Sequence, residues 1–268
     1  MIPKYCLTEW RHQAPWVEDY QVEQDLIISR ALVDLYNNEK IKNNLVFRGG
    51  TALNKLFIKP AARYSEDIDL VQIDSKPIGE MIDEIRRTLN WLGEPSRKLT
   101  ERSAKLFYKY TADDNSQKKL KIEINTTEHY RVYDFFDCEF NVENSWFSGK
   151  SEIRTYQLNE LMGTKIRALY QRRKGRDLFD LWFMLKNNMI DAKITVDVFL
   201  AHCHRDNLNV TRALFEKNLH DKMHMQDFRN DVTNLISNGN DWSFDEAYAL
   251  VKDKLISLLP GDQWKEKT

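Results

Sequence analysis

A chain of 268 residues with 40 Lys and Arg against 41 Asp and Glu, net charge -1, has room for one large domain or two modest ones and is no globally basic nucleic-acid binder. Hydrophobic residues at 42% and aromatics at 12% exclude a disordered chain, and apolar runs of only a handful of residues exclude a membrane-spanning helix. The first ten residues, MIPKYCLTEW, lack the basic start and apolar stretch of a secretory signal, and three scattered cysteines (Cys6, Cys138, Cys203) predict no disulfide framework; the expected setting is the reducing cytoplasm, with no membrane partner.

Residues 18–37 place Val22, Leu26, Leu32, Val33 and Tyr36 at helical spacing. The short apolar run Leu45-Val46-Phe47 follows, then Arg48, the pair Gly49-Gly50 and a helical stretch from Thr51 to Ile58. Residues 66–72, EDIDLVQ, alternate acid and apolar, the period of a strand. A helix is expected over 78–92, a hairpin over 105–111 and 119–125, and further strands or loop over 130–147. No proline occurs between Pro95 and Pro260, which leaves the second half free to run in helices over 157–172, 177–188, 195–204, 210–236 and 244–258. An α/β half is thus joined near 148–156 to an all-helical half. The domain boundary is set at 1–150 and 151–268.

Side chains two apart on a strand share a face, so Asp67 and Asp69 project together while Ile68 and Leu70 face the core. Residues 119–125 repeat the logic, with Glu123 opposite in sense to Ile122 and Ile124. Three such carboxylates make the oxygen-rich site that a hard cation such as Mg²⁺ needs. An isolated D-x-D is more often an ordinary exposed strand face. The glycines add weight: average usage would give roughly 19 in such a chain, yet there are 9, two of them adjacent. Strand, Gly-Gly-Thr, helix, Asp strand is either a tight turn or an anion site built of bare N–H groups and the Thr51 hydroxyl. A phosphate cradle beside a metal cage is the equipment of phosphoryl or nucleotidyl transfer.

FRGGTALNKLF, RYSEDIDLVQ, KIEIN, GTKIRALYQRR and RDLFDLW together resemble the AbiEii-type nucleotidyltransferase toxins of the polymerase-beta-like superfamily, over about residues 40–185. The resemblance implies an α+β fold, a nucleotidyltransferase domain with a mixed sheet followed by an all-helical C-terminal domain completing the active-site cleft. It implies Gly49, Gly50 and Thr51 on the triphosphate, and Asp67, Asp69 and Glu123 as ligands of two Mg²⁺ ions. Lys165 and Asp177 match the family's catalytic lysine and distal aspartate, and Asp180 completes its D-x-x-D. The implied reaction moves a nucleoside monophosphate from an NTP to a hydroxyl acceptor, RNA and in particular a tRNA 3′ end. The protein would be the toxin of a toxin–antitoxin or phage-defence pair, with a cognate antitoxin as partner. Ser65 is placed with the nucleotide-binding residues and is a candidate regulatory phosphosite.

Leu158, Leu161, Met162, Ile166 and Leu169 form one apolar stripe with Lys165 in its middle, so its ammonium must either snorkel out or meet an anion. Asp177 and Asp180 share a helix face one turn apart. Residues 165–176, KIRALYQRRKGR, hold six basic residues and no acid; with Arg97, Lys98, Arg102, Lys105 and Lys109 they suggest a polyanionic acceptor. His202, His204, His220 and His224 lack the paired spacing of a zinc site. Two rival functions share the expected fold: a non-catalytic nucleotide- or RNA-binding module, and a small-molecule nucleotidyltransferase of the aminoglycoside-modifying kind.

Overall fold

The computed structural model describes residues 2–236 and 241–265; positions 237–240 and 266–268 of the expected helical domain lie outside them. The chain divides into two units, Met1–His129 with Asp134–Tyr156, and Tyr130–Tyr133 with Gln157–Thr268.

In the first unit, α1 (Lys4–Trp10) and α2 (Asp19–Tyr36) precede a short α3 (Glu39–Asn44). Glu18 and Gln21 close a capping box on α2, whose expected apolar positions are all buried. Asp25, 2% exposed on α2, accepts from the indoles of Trp10 and Trp16 and pairs with Lys55, which fixes α1 against it. Helix α3 has no apolar period and is missed in the sequence; the Asn38 side chain makes it by accepting from the N–H groups of Lys40 and Ile41.

Strand β1 (Leu45–Arg48) leads into α4 (Gly49–Ala52), which continues as one π-helical turn at Leu53–Phe57. The remaining elements of this unit are β2 (Asp67–Gln72), α5 (Gly79–Thr88), β3 (Ser96–Leu99), β4 (Ser103–Thr111), β5 (Gln117–Asn125), β6 (Phe136–Glu143) and β7 (Ser148–Thr155). Among the described residues they make one sheet in the order β3-β4-β5-β2-β1-β7-β6. It is mixed, as expected: β1 runs antiparallel to β2 and parallel to β7, while β2 runs parallel to β5. Residues 148–155, read in the sequence as a junction, are a full strand, with Ser151, Ile153 and Thr155 turned inward. The core face carries Ile68, Leu70, Leu106, Ile122 and Ile124, all close to 0% exposed.

The second unit is helical: α6 (Leu158–Gln171), α7 (Gly175–Lys186), α8 (Ala192–Arg205), α9 (Arg212–Met223), α10 (Gln226–Asn230) and α11 (Phe244–Lys254). The single helix expected over 210–236 is two. Met225 is extended, and the turn it makes sends Phe228 into the core beside Gly175, where any Cβ would overlap the Phe228 carbonyl. Residues 130–133 belong here because the buried Glu160 carboxylate accepts from the N–H groups of Val132 (2.7 Å) and Tyr133 (2.9 Å).

Candidate functional site

Two clusters of charge stand out, one in each unit. In the first, the parallel register sets Asp67 beside Lys121 and Asp69 beside Glu123, and β1 brings Arg48 opposite Asp69. Asp67, Asp69 and Glu123 therefore occupy one sheet face, as strand alternation requires. Gly49 has φ +84°, and a Cβ there would lie 2.5 Å from Oδ2 of Asp69. The bare backbone of residue 49 is what lets the Asp69 carboxylate lie where it does. Gly50 is excluded from carrying a Cβ by the buried guanidinium of Arg63. Thr51 is 2% exposed; its hydroxyl donates to the Asp67 carbonyl and lies 2.7 Å from the Ser65 hydroxyl. Thr51 and Ser65 thus tie the glycine turn to the start of β2.

The electrostatics of this cluster are unbalanced. Burial, then the neighbouring Asp67 charge, pushes the Asp69 carboxyl above the usual range, and burial raises Asp67 despite its bond from Lys121. Lys121 donates to Asp67 Oδ2 (2.8 Å) and Glu123 Oε2 (3.2 Å). Burial opposes its charge, but those carboxylates outweigh it and lift the ammonium to about 12. Glu123 also takes Lys105 at 2.9 Å; against burial, the two lysines hold its carboxyl below the usual range. With Glu123 drawn by lysines on both oxygens, no set of three His, Cys, Asp or Glu side chains converges tightly enough for a metal among the described residues.

In the second unit, the Lys165 ammonium neither snorkels nor stands free. It donates to Asp177 Oδ1 (3.1 Å) and lies 2.9 Å from Asp180 Oδ2; the lysine side chain is 6% exposed and both aspartates 0%. Arg172 adds two bonds to Asp177, at 2.7 and 2.8 Å. Burial disfavours the Asp177 carboxylate, but Lys165 and Arg172 outweigh it and hold the carboxyl at about 2. The family-type lysine and both aspartates are one closed ionic knot.

The basic run around them is mostly spent inside its own unit. Arg167 pairs with Asp206, and Lys174 and Arg176 both pair with Asp231. Tyr170 packs on Phe215 with ring centroids 5.2 Å apart. His202 bonds to Glu160 at 3.1 Å, and the His220 and His224 rings contact each other at 4.9 Å. The sequence assigns no role to Lys121 and Arg63, and Arg172, counted there with the basic run toward a polyanionic acceptor, serves Asp177 instead. Lys121 was within reach, since strand period alone puts it on the face of Glu123; Arg63 carried no signal beyond its place before Asp67.

A profile of the family described as nucleotidyl transferase AbiEii toxin, type IV toxin–antitoxin system, matches residues 30–250. Among solved structures the chain is similar to MenT4, a nucleotidyltransferase toxin from Mycobacterium tuberculosis H37Rv, with a TM-score of 0.68 and 16% identity over 97% of this chain and 91% of that one. At that identity the likeness is one of fold. An antigenic nucleotidyltransferase-like protein from Paracoccidioides brasiliensis aligns at a TM-score of 0.40 and 13% identity over 67% of this chain and 88% of that one, and carries no argument. No curated protein matches the sequence. Among the described residues no helix is long and apolar enough to cross a membrane. The chain belongs to the AbiEii nucleotidyltransferase toxin family of type IV toxin–antitoxin systems.

Proposed function

We propose that this member of the family transfers a nucleoside monophosphate from an NTP to a hydroxyl of an RNA acceptor, a tRNA 3′ end, with release of pyrophosphate, and that it works in the cytoplasm opposite a cognate antitoxin. The observation that carries the reading is the seat of Asp69: a carboxylate laid against the bare backbone of Gly49, beside Asp67, with both carboxyls raised chiefly by burial.

The donor set suits magnesium, being all carboxylate oxygen on half-exposed strands. Lys121 supports the fit, because its ammonium already bridges Asp67 and Glu123 as a cation would. Asp67, Asp69 and Glu123 would hold two Mg²⁺ ions, which when bound supply neutralisation of the triphosphate and the departing pyrophosphate. For Glu123 to join, Lys105 and Lys121 must release it. Gly49 and Gly50 leave backbone open to phosphate oxygens, while Thr51 and Ser65 keep that turn in place on the nucleotide side. In the second unit, Lys165, fixed in place by Asp177 and Asp180, is the residue assigned the role of the catalytic lysine.

The test is direct. The purified protein is incubated with total RNA, Mg²⁺ and one labelled NTP at a time, and RNA 3′ ends are then sequenced. Label at the 3′ ends of a defined RNA class is expected. A folded protein that incorporates none of the NTPs overturns the reading.

A further inference from the structure

A groove of about 730 Å³ opens at Asp67 and runs over β4 and β5, lined by Phe107, Lys109, Lys118, Lys119 and Lys121, with Tyr20 of α2. Its charge is unusual for this protein. Lys109 and Lys119 are directly opposite each other in the antiparallel β4–β5 ladder. Like charges so placed destabilise a sheet. Four residues along the same ladder, Lys105 stands opposite Glu123 and pairs with it, and Lys121 pairs with Glu123 and Asp67. Lys109, Lys118 and Lys119 make no ion pair among the described residues. Glu66 also lines the groove and Lys118 acts on the Asp114 carboxylate, so the positive charge least balanced along it is that of Lys109 and Lys119.

The ammonium groups lie close to aromatic faces. Lys118 Nζ is 3.8 Å from the ring centroid of Tyr20, and Lys119 Nζ is 5.4 Å from that of Phe107. Ammonium groups set beside flat rings are what a single-stranded nucleic acid needs, phosphate meeting the one and base the other. The size fits a site for a few ligand groups rather than a water pocket. The 165–176 run is the poorer candidate, since most of its charges are already paired.

We propose that this groove seats the single-stranded end of the RNA acceptor, with Lys109, Lys118 and Lys119 on its phosphates and Phe107 under a base, and so delivers the acceptor to Asp67. The assignment rests on the proposed transfer to RNA and names the surface that recognises it.

The test uses the full chain without NTP, a short fluorescent single-stranded RNA, and anisotropy over a range of salt. Lys109→Ala/Lys119→Ala should flatten the dependence of log affinity on log salt by about 0.7 per lysine removed. Phe107→Leu should weaken binding and leave that slope alone. In turnover, the double variant should show a raised KM for RNA and an unchanged KM for NTP. Because it removes an opposed like-charge pair, its thermal midpoint should hold or rise, so lost binding cannot be read as unfolding. A wild-type salt slope in the double variant overturns the proposal, as does an equal loss in Lys193→Ala, a lysine of α8 paired with Asp197. The first result would leave the groove to an acidic protein partner. A rise in KM for NTP instead of RNA also overturns it, by making the groove the nucleotide's seat. If no RNA accepts a nucleotide, the transfer reading falls by itself, while the salt slope still decides whether the groove binds RNA.

Discussion

The carboxylate face of the sheet and the ionic knot of the helical unit use the same residue types to opposite ends. On the sheet, Asp67 and Glu123 side chains are 32% and 26% exposed, and Lys121 and Lys105 reach them from a solvated face. In the knot, Asp177 and Asp180 are 0% exposed and share one lysine. Water can take over any contact on the sheet face when a ligand arrives, so ion pairs there can be exchanged at small cost. In the knot no water replaces a lost partner, and each charge depends on the others. One cluster is built to change partners. The other is built to keep them.

The sharpest way to break this contrast is to delete one acid from each side. Asp69→Ala should lower nucleotide transfer by about 10³-fold, while thermal unfolding of the metal-free protein stays level or moves up, because one acid leaves a crowded negative face. A marked drop in its melting temperature would place Asp69 in the framework instead. Asp177→Ala and Lys165→Met should cost stability as well as transfer, about 3–5 kcal/mol in urea titrations through the charge left behind. If Lys165→Met unfolds at the wild-type urea concentration, the knot does not hold the helical unit together.

Acid separates the two more gently. The Asp177 carboxyl, held at about 2 by Lys165 and Arg172 against the opposing effect of burial, lies below its unfolded value of about 4. Its contribution is therefore complete above pH 4 and is lost as pH falls toward 2, amounting to about 2 kcal/mol. Urea titrations of wild type and Asp177→Asn across that window should converge as pH falls; a constant gap would mean that Asp177 is not depressed. The smallest effect is expected of Gly49→Ala, about 1–2 kcal/mol from a left-handed backbone, together with displacement of Asp69. Loss of transfer out of proportion to that stability change is the outcome to look for.

The sheet face was readable because its information is local. Asp67 and Asp69 alternate with buried Ile68 and Leu70, and two adjacent glycines in a glycine-poor chain mark a backbone constraint before any partner is known. What could not be read depends on partners far along the chain. That Lys121 reaches Asp67 follows from the parallel pairing of β2 with β5, and no spacing within either strand encodes it. The basic run at 165–176 looked like an open polycation because its acids, Asp206 and Asp231, stand in later helices. Lys165 was readable as a charge in an apolar stripe, and its destination was not. Short elements were lost for another reason: α3 has one buried apolar residue, Ile41, and is made by its Asn38 cap, not by periodicity.

The four residues from Tyr130 to Tyr133 are counted with the helical unit although 23 residues of sheet, Asp134–Tyr156, follow them before the chain returns. The two halves are therefore not consecutive words in the gene. A recombination that exchanged everything after residue 156 would bring in a new Glu160 and leave behind the backbone amides of Val132 and Tyr133 that its buried carboxylate was fitted to.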